Sequence, residues 1–347
     1  MSDYTITQVY PSDARMIARV DELLEAEGIE RDGNLDYTCA IVDEDYRVVA
    51  TGSCFGNTLR CMAVSSAHQG EGLMNELVGH LIEKQYERGN MHLFVYTKVT
   101  AAKFFLDLGF YEIARVDGTL VFLENRRDGF TSYLSALAKT RRVGRSAAVV
   151  MNANPFTRGH RHLIETALAS CDTLHVFVVS EDASLVPFTV RKRLVCEGCA
   201  DLPGTVVHAS GPYIISSATF PSYFLKDAAT VNEGHARLDT AVFCRIAEAL
   251  GITERFVGEE PTSQVTSIYN RVLCEELPRA GVACTVIPRL AQGDAPVSAS
   301  NVRRALQVGD LDALRALVPD TTYRYFTSEE AAPVIERIKA AGDVAHY

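Results

Sequence analysis

The sequence has no tryptophan, no low-complexity tract and no internal repeat, which sets aside repeat and fibrous architectures. Long apolar runs are missing too: a run such as Ala147 to Met151 falls far short of the roughly 18 residues that a membrane span needs. The opening residues, MSDYTITQVYPSDAR, contain no apolar signal segment, so the cytoplasm is the expected compartment and no membrane contact is expected. Positive charge is in short supply. Thirty-four Lys and Arg against 44 Asp and Glu give a formal charge of −10, which repels a nucleic-acid backbone, so nucleic acid is not an expected partner. Cysteine is present without a framework: nine residues, an odd number, are scattered along the chain, unlike the dense pattern of a small secreted domain. Only Cys196 and Cys199 form a CxxC pair. Without a second pair or a histidine at ligand spacing, they read as two small helix residues, and no zinc site or other metal centre is expected.

What is present is enough for two cores. A chain of 347 residues with 47% hydrophobic and 22% charged residues has the balance of a globular protein and the length of two domains. The first part reads as α+β. A helix is expected from Asp13 to Glu27, then a hairpin of Thr38 to Val42 and Val48 to Ser53, a strand over Thr58 to Val64, and a helix from Leu73 to near Gly89. A strand over Met91 to Tyr96, a short helix over Ala101 to Leu108 and a strand over Phe110 to Val116 close a domain of residues 1–125. Residues 126–146, with Arg126, Arg127, Lys139, Arg141, Arg142 and Arg145 around a short helical segment, read as a linker with a solvated basic face. From Ala147 the rhythm changes to strand, helix, strand, helix, strand. That alternation, carried on by strands at Arg255 to Gly258 and Ala283 to Ile287 around a helix from Val265 to Leu277, predicts a parallel α/β sheet over residues 147–347. Most of Ser300 to Ala341 reads as helix.

The richest stretch is Asn152 to His160, NANPFTRGH, between a buried strand and a helix, where ligands gather in a parallel sheet. Pro155 stiffens this loop, Gly159 lets a ligand approach the backbone, and the helix that follows offers unpaired N–H groups to an anion. Thr157 and His160 could then donate hydrogen bonds to phosphoryl oxygens whose charge grows in a transition state. Read alone, the same loop could be a helix cap with a buried histidine. Arg191, Lys192 and Arg193, early in a later helix, could add positive charge near the phosphates or form an ordinary solvated face.

The loop resembles the T/HxGH signature of the nucleotidyltransferase superfamily, whose members attack the α-phosphate of a nucleoside triphosphate and release pyrophosphate. Thr157, Arg158, Gly159 and His160 fit it. VSASNVRRAL, residues 297–306, looks like that superfamily's ISSTxxR signature, which carries over to Ser298, Ser300 and Arg303. Ala299 stands where the pattern has its second serine, so a phosphate contact there has to come from backbone N–H. Phe256 to Glu260, FVGEE, is a third match at a strand end. With these segments, YIISSATFPSYFLK (213–226), RFVGEEP (255–261), RDGNLDYTC (31–39) and GNTLRCMAV (56–64), nearly the whole chain resembles the citrate lyase ligase family.

The resemblance implies an AMP-forming acid–thiol ligase. ATP with Mg²⁺ activates acetate as acetyl adenylate, and the thiol of the coenzyme-A-like prosthetic group on citrate lyase's acyl carrier subunit takes the acetyl group. By this likeness Thr157, His160 and Arg303 are catalytic, while Asn154, Gly159, Gly258, Glu259, Ser298 and Ser300 hold ATP. Gln69 to Met74, opening a helix, with LGFY at 108–111, resembles the coenzyme A diphosphate loop of GNAT acetyltransferases. Gln69, Gly70 and Gly72 would then bind the carrier's arm. Met74 stands where that loop has Gly or Ala, which favours the GNAT fold over acetyl transfer by it. His68, beside the loop, could serve as a base or be a solvated histidine. Two other readings remain open at this stage: an adenylyltransferase for a cofactor precursor, and a non-catalytic protein that binds coenzyme A or a carrier.

Overall fold

The computed structural model describes residues 4–214, 220–221, 228–259, 264–292 and 295–342. Within these, the chain forms two compact units, one drawn from Met1–Thr131 and Phe220–Ala241, the other from Ser132–Thr219 and Val242–Tyr347.

The first unit is built on β1 (Thr5–Gln8), α1 (Ala14–Ala26), β2 (Tyr37–Val42), β3 (Val48–Phe55), β4 (Thr58–Val64), α2 (Leu73–Glu87), β5 (Phe94–Lys98), α3 (Val99–Asp107), β6 (Tyr111–Val116) and β7 (Leu120–Glu124). Its seven strands lie in the order β1-β2-β3-β4-β5-β7-β6. All neighbours are antiparallel except β4 and β5, which are parallel and register only at Thr58 with Phe94 and Leu59 with Val95. Past Leu59 the strands part. The register of β4 on β3 shifts there, and Cys61 takes a left-handed φ of 49°, the mark of a bulge that bends the strand. Helix α2 seats against β3 at Gly52, where a Cβ would lie 2.8 Å from Leu81.

After α4 (Gly129–Ala138) the second pattern runs through β8 (Ser146–Met151), α5 (Arg158–Leu168), β9 (Thr173–Val178), α6 (Phe188–Gly198), β10 (Thr205–Ala209), α7 (Ala228–Leu250), β11 (Ile252–Gly258), α8 (Gln264–Glu276) and β12 (Ala283–Ile287). The short hairpin of β13 (Ala291–Gln292) and β14 (Ala295–Pro296) precedes α9 (Ala299–Val308), α10 (Leu311–Leu317), α11 (Asp320–Phe326) and α12 (Ala332–Ala340). The five longer strands form one parallel sheet in the order β10-β9-β8-β11-β12. Helices cover the sheet, so β8 and β9 are apolar and buried nearly throughout, with Ala147, Val149, Leu174 and Val176 in one core with Ile164, Leu194 and Val302. The chain leaves β8 outward to β9 and β10, then returns to β11 on the other flank. The crevice of such a sheet opens at the carboxyl ends of the two strands where the order reverses, here β8 and β11.

Several elements differ from the sequence expectation. Helix α5 starts at Arg158 with Thr157 as its cap, two residues before the expected start at His160. Strand β5 starts at Phe94, not Met91, because the Leu93 N–H is taken by the Asn125 side chain and pairing with β7 begins one residue later. Strands β1 and β7 and the long helix α7 were not expected. The stretch after Ser300 is broken into four helices, the first ending at a left-handed Gly309 and the third opening after Pro319.

Candidate active site

The loop leaving β8 is shaped by its own side chains. Asn154 is buried and its Oδ1 accepts the Val186 N–H at 3.0 Å. Phe156 is fully buried against Gly198, where a Cβ would lie 2.5 Å from its ring, so the loop is pinned to α6. Thr157 then caps α5: its Oγ1 accepts the His160 N–H at 3.2 Å. His160 answers with its ring, Nδ1 accepting the Thr157 N–H at 3.1 Å. A backbone N–H can only donate. Nδ1 is therefore unprotonated, and the proton of the neutral imidazole sits on Nε2. Burial, with the Arg289 and Arg303 guanidiniums nearby, pushes the imidazole down to about 4, so at neutral pH it is an uncharged donor.

The second motif meets the first. Ser298 caps α9 by accepting the Asn301 N–H at 3.2 Å, and its Oγ lies 2.9 Å from Ser300 Oγ. Arg303, buried one turn on, donates through Nη1 to the Asn154 carbonyl at 2.5 Å. Gly159 permits the close approach: a Cβ there would stand 2.7 Å from the Val297 carbonyl oxygen. Two helix N-termini, α5 and α9, thus start beside one another at the crevice, with a neutral histidine and a guanidinium between them. Gly258 ends β11, and its carbonyl accepts from Asn270 at 3.0 Å. Glu259 is exposed, its N–H bonded to the Ile287 carbonyl at 2.8 Å, and its own carbonyl accepts Arg289 Nε at 2.9 Å. Among the described residues, no three His, Cys, Asp or Glu side chains are grouped to hold a metal ion.

The first unit has its own cavity, about 620 Å³, where β4 and β5 part. Met62, Val64, Leu73, Phe104 and Phe105 make its apolar walls, and Gln69, Gly70 and Gly72 lie at its rim. Gly70 and Gly72 have φ of 88° and 82° with nothing within 4 Å of either position's Cβ direction, and no side chain caps α2. The first backbone N–H groups of α2 are therefore left without a side-chain cap beside the cavity lining.

Known proteins match along both units. The family model described as the citrate lyase ligase C-terminal domain matches residues 146–326, and the acetyltransferase (GNAT) family model matches residues 4–110. The chain is 39% identical over 329 residues to a "[Citrate [pro-3S]-lyase] ligase" of Escherichia coli, covering 92% of each chain. It is 40% identical to the protein of that name in Klebsiella pneumoniae, covering 84% of this chain and 87% of that one. The chain belongs to the citrate lyase ligase family. Its N-terminal unit is GNAT-like and its C-terminal unit nucleotidyltransferase-like.

In this member of the citrate lyase ligase family, the segments expected to hold ATP are not equally informative. Thr157, Gly159, His160, Ser298, Ser300, Arg303 and Asn154 converge, and Gly258 and Glu259 reach the same edge through Arg289. Arg289 went unnoticed in the sequence; its signal was a lone arginine just past the end of a parallel strand. Within the basic trio, Arg191 departs from both expected readings, phosphate charge and a solvated face: it is fully buried and spends its guanidinium on backbone and side-chain acceptors. Arg193 is partly exposed and pairs with Glu330 at 2.8 Å, as on a solvated face. Met74 lines the cavity wall of the first unit. His68 is held by Tyr4 and Glu71, as Tyr4 OH lies 3.2 Å from its Nδ1 and donates to Glu71. The family segments at 31–39 and 56–64 hold one another: Arg60 and Asp32 form a buried ion pair at 2.7 Å, and the Asp32 N–H meets Cys61 Sγ at 3.4 Å. Residues 215–219 and 222–226 of the family segment 213–226, and residues 260–261 of RFVGEEP, lie outside the described residues.

Proposed function

We propose that this chain is the ligase that charges the thiol of citrate lyase's acyl carrier, working through an acetyl adenylate. ATP is held at the crevice of the parallel sheet with its phosphates against the starts of α5 and α9. A carboxylate oxygen of acetate attacks the α-phosphorus, a new P–O bond forms, and the bond to the bridging oxygen breaks to release pyrophosphate. The neutral His160 donates its Nε2–H to a phosphoryl oxygen as negative charge builds, and Arg303 and Arg289 balance the charge of the departing pyrophosphate. The carrier thiol then gives up its proton to solvent and attacks the acetyl carbon; the C–O bond to phosphate breaks, leaving acetyl thioester and AMP. Mg²⁺ accompanies the ATP phosphates and supplies charge neutralisation there. The chain's own described residues group no carboxylate cage for it.

The observation that carries this reading is the hydrogen bond from Arg303 to Asn154, with Gly159 against Val297, which joins two motifs far apart in sequence into one anion-binding corner. The cavity of the GNAT-like unit, with the uncapped first N–H groups of α2 beside its lining, supports a second role, holding the carrier's coenzyme-A-like arm. The test is ATP–pyrophosphate exchange with purified chain. Exchange that requires acetate but no carrier supports the adenylate. Exchange with a phosphate ester in place of acetate would instead identify an adenylyltransferase, and no exchange at all would leave only a binding protein.

A further inference from the structure

Among the largest fully buried side chains is an arginine, Arg191, in the first turn of α6. A buried guanidinium is tolerated only when its N–H groups are matched by acceptors. Here acceptors reach all three nitrogens in five contacts, three of them sharing the two N–H groups of Nη1. Nη1 donates to the Asn152 carbonyl, to Asn152 Oδ1 and to the Val179 carbonyl, each at 2.8 Å. Nη2 donates to the Glu181 carbonyl at 2.5 Å and Nε to the Val186 carbonyl at 2.9 Å. These acceptors belong to two connections, the one leaving β8 and the one leaving β9, at the carboxyl edge where the crevice opens.

The same two connections are tied again close by. Asn152 Nδ2 donates to Ser184 Oγ at 3.0 Å, and the Val186 N–H donates to Asn154 Oδ1 at 3.0 Å. Arg191 therefore fixes Val186 by its carbonyl while Val186 fixes Asn154 by its N–H, and Arg191 fixes Asn152 two residues before Asn154. The Asn154 carbonyl is the acceptor of Arg303.

We infer that Arg191 is a positioning residue of the adenylation site, setting the loop at Asn152 to Asn154 and, through the Asn154 carbonyl, the place of the Arg303 guanidinium. The inference rests on the role proposed for Arg303. It explains why the position is arginine: the acceptors surround a planar fork, whereas an ammonium offers three N–H groups from one nitrogen and cannot span them.

A double-mutant cycle on the full chain tests it. Arg191→Lys is made alone and with Arg303→Ala, and acetate-dependent exchange is measured at saturating ATP and acetate below each variant's unfolding temperature. Arg191→Lys is expected to lower kcat by about 30-fold in the parent background but by less than about 3-fold when Arg303 is already gone, since no guanidinium is left to misplace. Equal losses in both backgrounds would show a general effect on folding and overturn the inference. Should Arg191→Lys fail to fold, Asn152→Ala, on an exposed loop residue, leaves four of the five contacts. It is expected to cost about 5-fold and to couple to Arg303 in the same direction; additive behaviour again overturns the inference. A parent chain without acetate-dependent exchange would instead sink the functional reading, and this inference with it.

Discussion

Replacing His160 separates its two jobs. In the folded chain Nδ1 accepts the Thr157 N–H and completes a reciprocal cap, while Nε2–H is the donor that the proposed mechanism assigns to a phosphoryl oxygen. His160→Asn keeps an acceptor at the cap but moves the donor, whereas His160→Ala removes both. Loss of one hydrogen-bond donor to developing charge costs about 2.7–4 kcal/mol, roughly 10² to 10³ in kcat. Loss of the cap costs about 1 kcal/mol, or about 2–4 °C in Tm for a domain of this size. Both variants are therefore expected to lose about 10²-fold or more in acetate-dependent exchange, and only His160→Ala to lose the few degrees in melting temperature. The pH profile adds a second reading. With the imidazole held down to about 4, it stays neutral from pH 8 to below pH 6, so exchange should show no step near the ordinary histidine value of 6.5 from this group. A His160→Ala enzyme within threefold of the parent, or a parent profile whose step near 6.5 vanishes in His160→Asn, would refute the reasoning.

Gly159→Ala puts a Cβ 2.7 Å from the Val297 carbonyl and forces α9 away from α5; about 1–3 kcal/mol of stability and most of the exchange activity should be lost, read by thermal unfolding and by exchange on the same sample. Gly72→Glu places a carboxylate at a φ of 82° beside the first unit's cavity; the KM for carrier should rise at least about 10-fold while exchange without carrier holds, and an unchanged KM would remove that cavity from the arm's path. His175 and His208 hydrogen-bond at 2.9 Å inside the sheet, and burial above all, then Arg142 for His175, and His175 followed by Lys192 for His208, pushes both down to about 4. Between about 4 and 6.5 the unfolded chain binds more protons than the folded one, so stability falls as pH drops through that window, by up to about 1.4 kcal/mol per pH unit for each histidine. Denaturant unfolding from pH 7 to 4.5 should show this slope, and His208→Phe should flatten it.

The fold was legible where one physical signal dominated. Strands β8 and β9 are buried on both faces, so they read as largely apolar runs, and the alternation with helices announced a parallel sheet. Helix α7 was missed although Val242, Phe243, Ile246, Ala247 and Leu250 are buried at helical spacing; Gly234 stands inside the helix, where it weakens a helical reading. Strand β1 is short and half exposed, which leaves little alternation to see. The candidate site was legible as residue types but not as contacts. Thr157, His160 and Arg303 carry recognisable chemistry, yet nothing in the sequence told that Asn154 offers its carbonyl to Arg303. Arg191 and Arg289 show the same limit from both sides: arginines look alike in a sequence, and only packing decides that one is buried among backbone acceptors and the other stands near His160.

The central claim is that a carboxylate oxygen attacks the α-phosphorus at this corner. Incubating the full chain with ATP, Mg²⁺, carrier and oxygen-18 acetate, then weighing the AMP by mass spectrometry, tests it directly. One labelled oxygen in each AMP is expected; unlabelled AMP formed alongside acetylated carrier would contradict it.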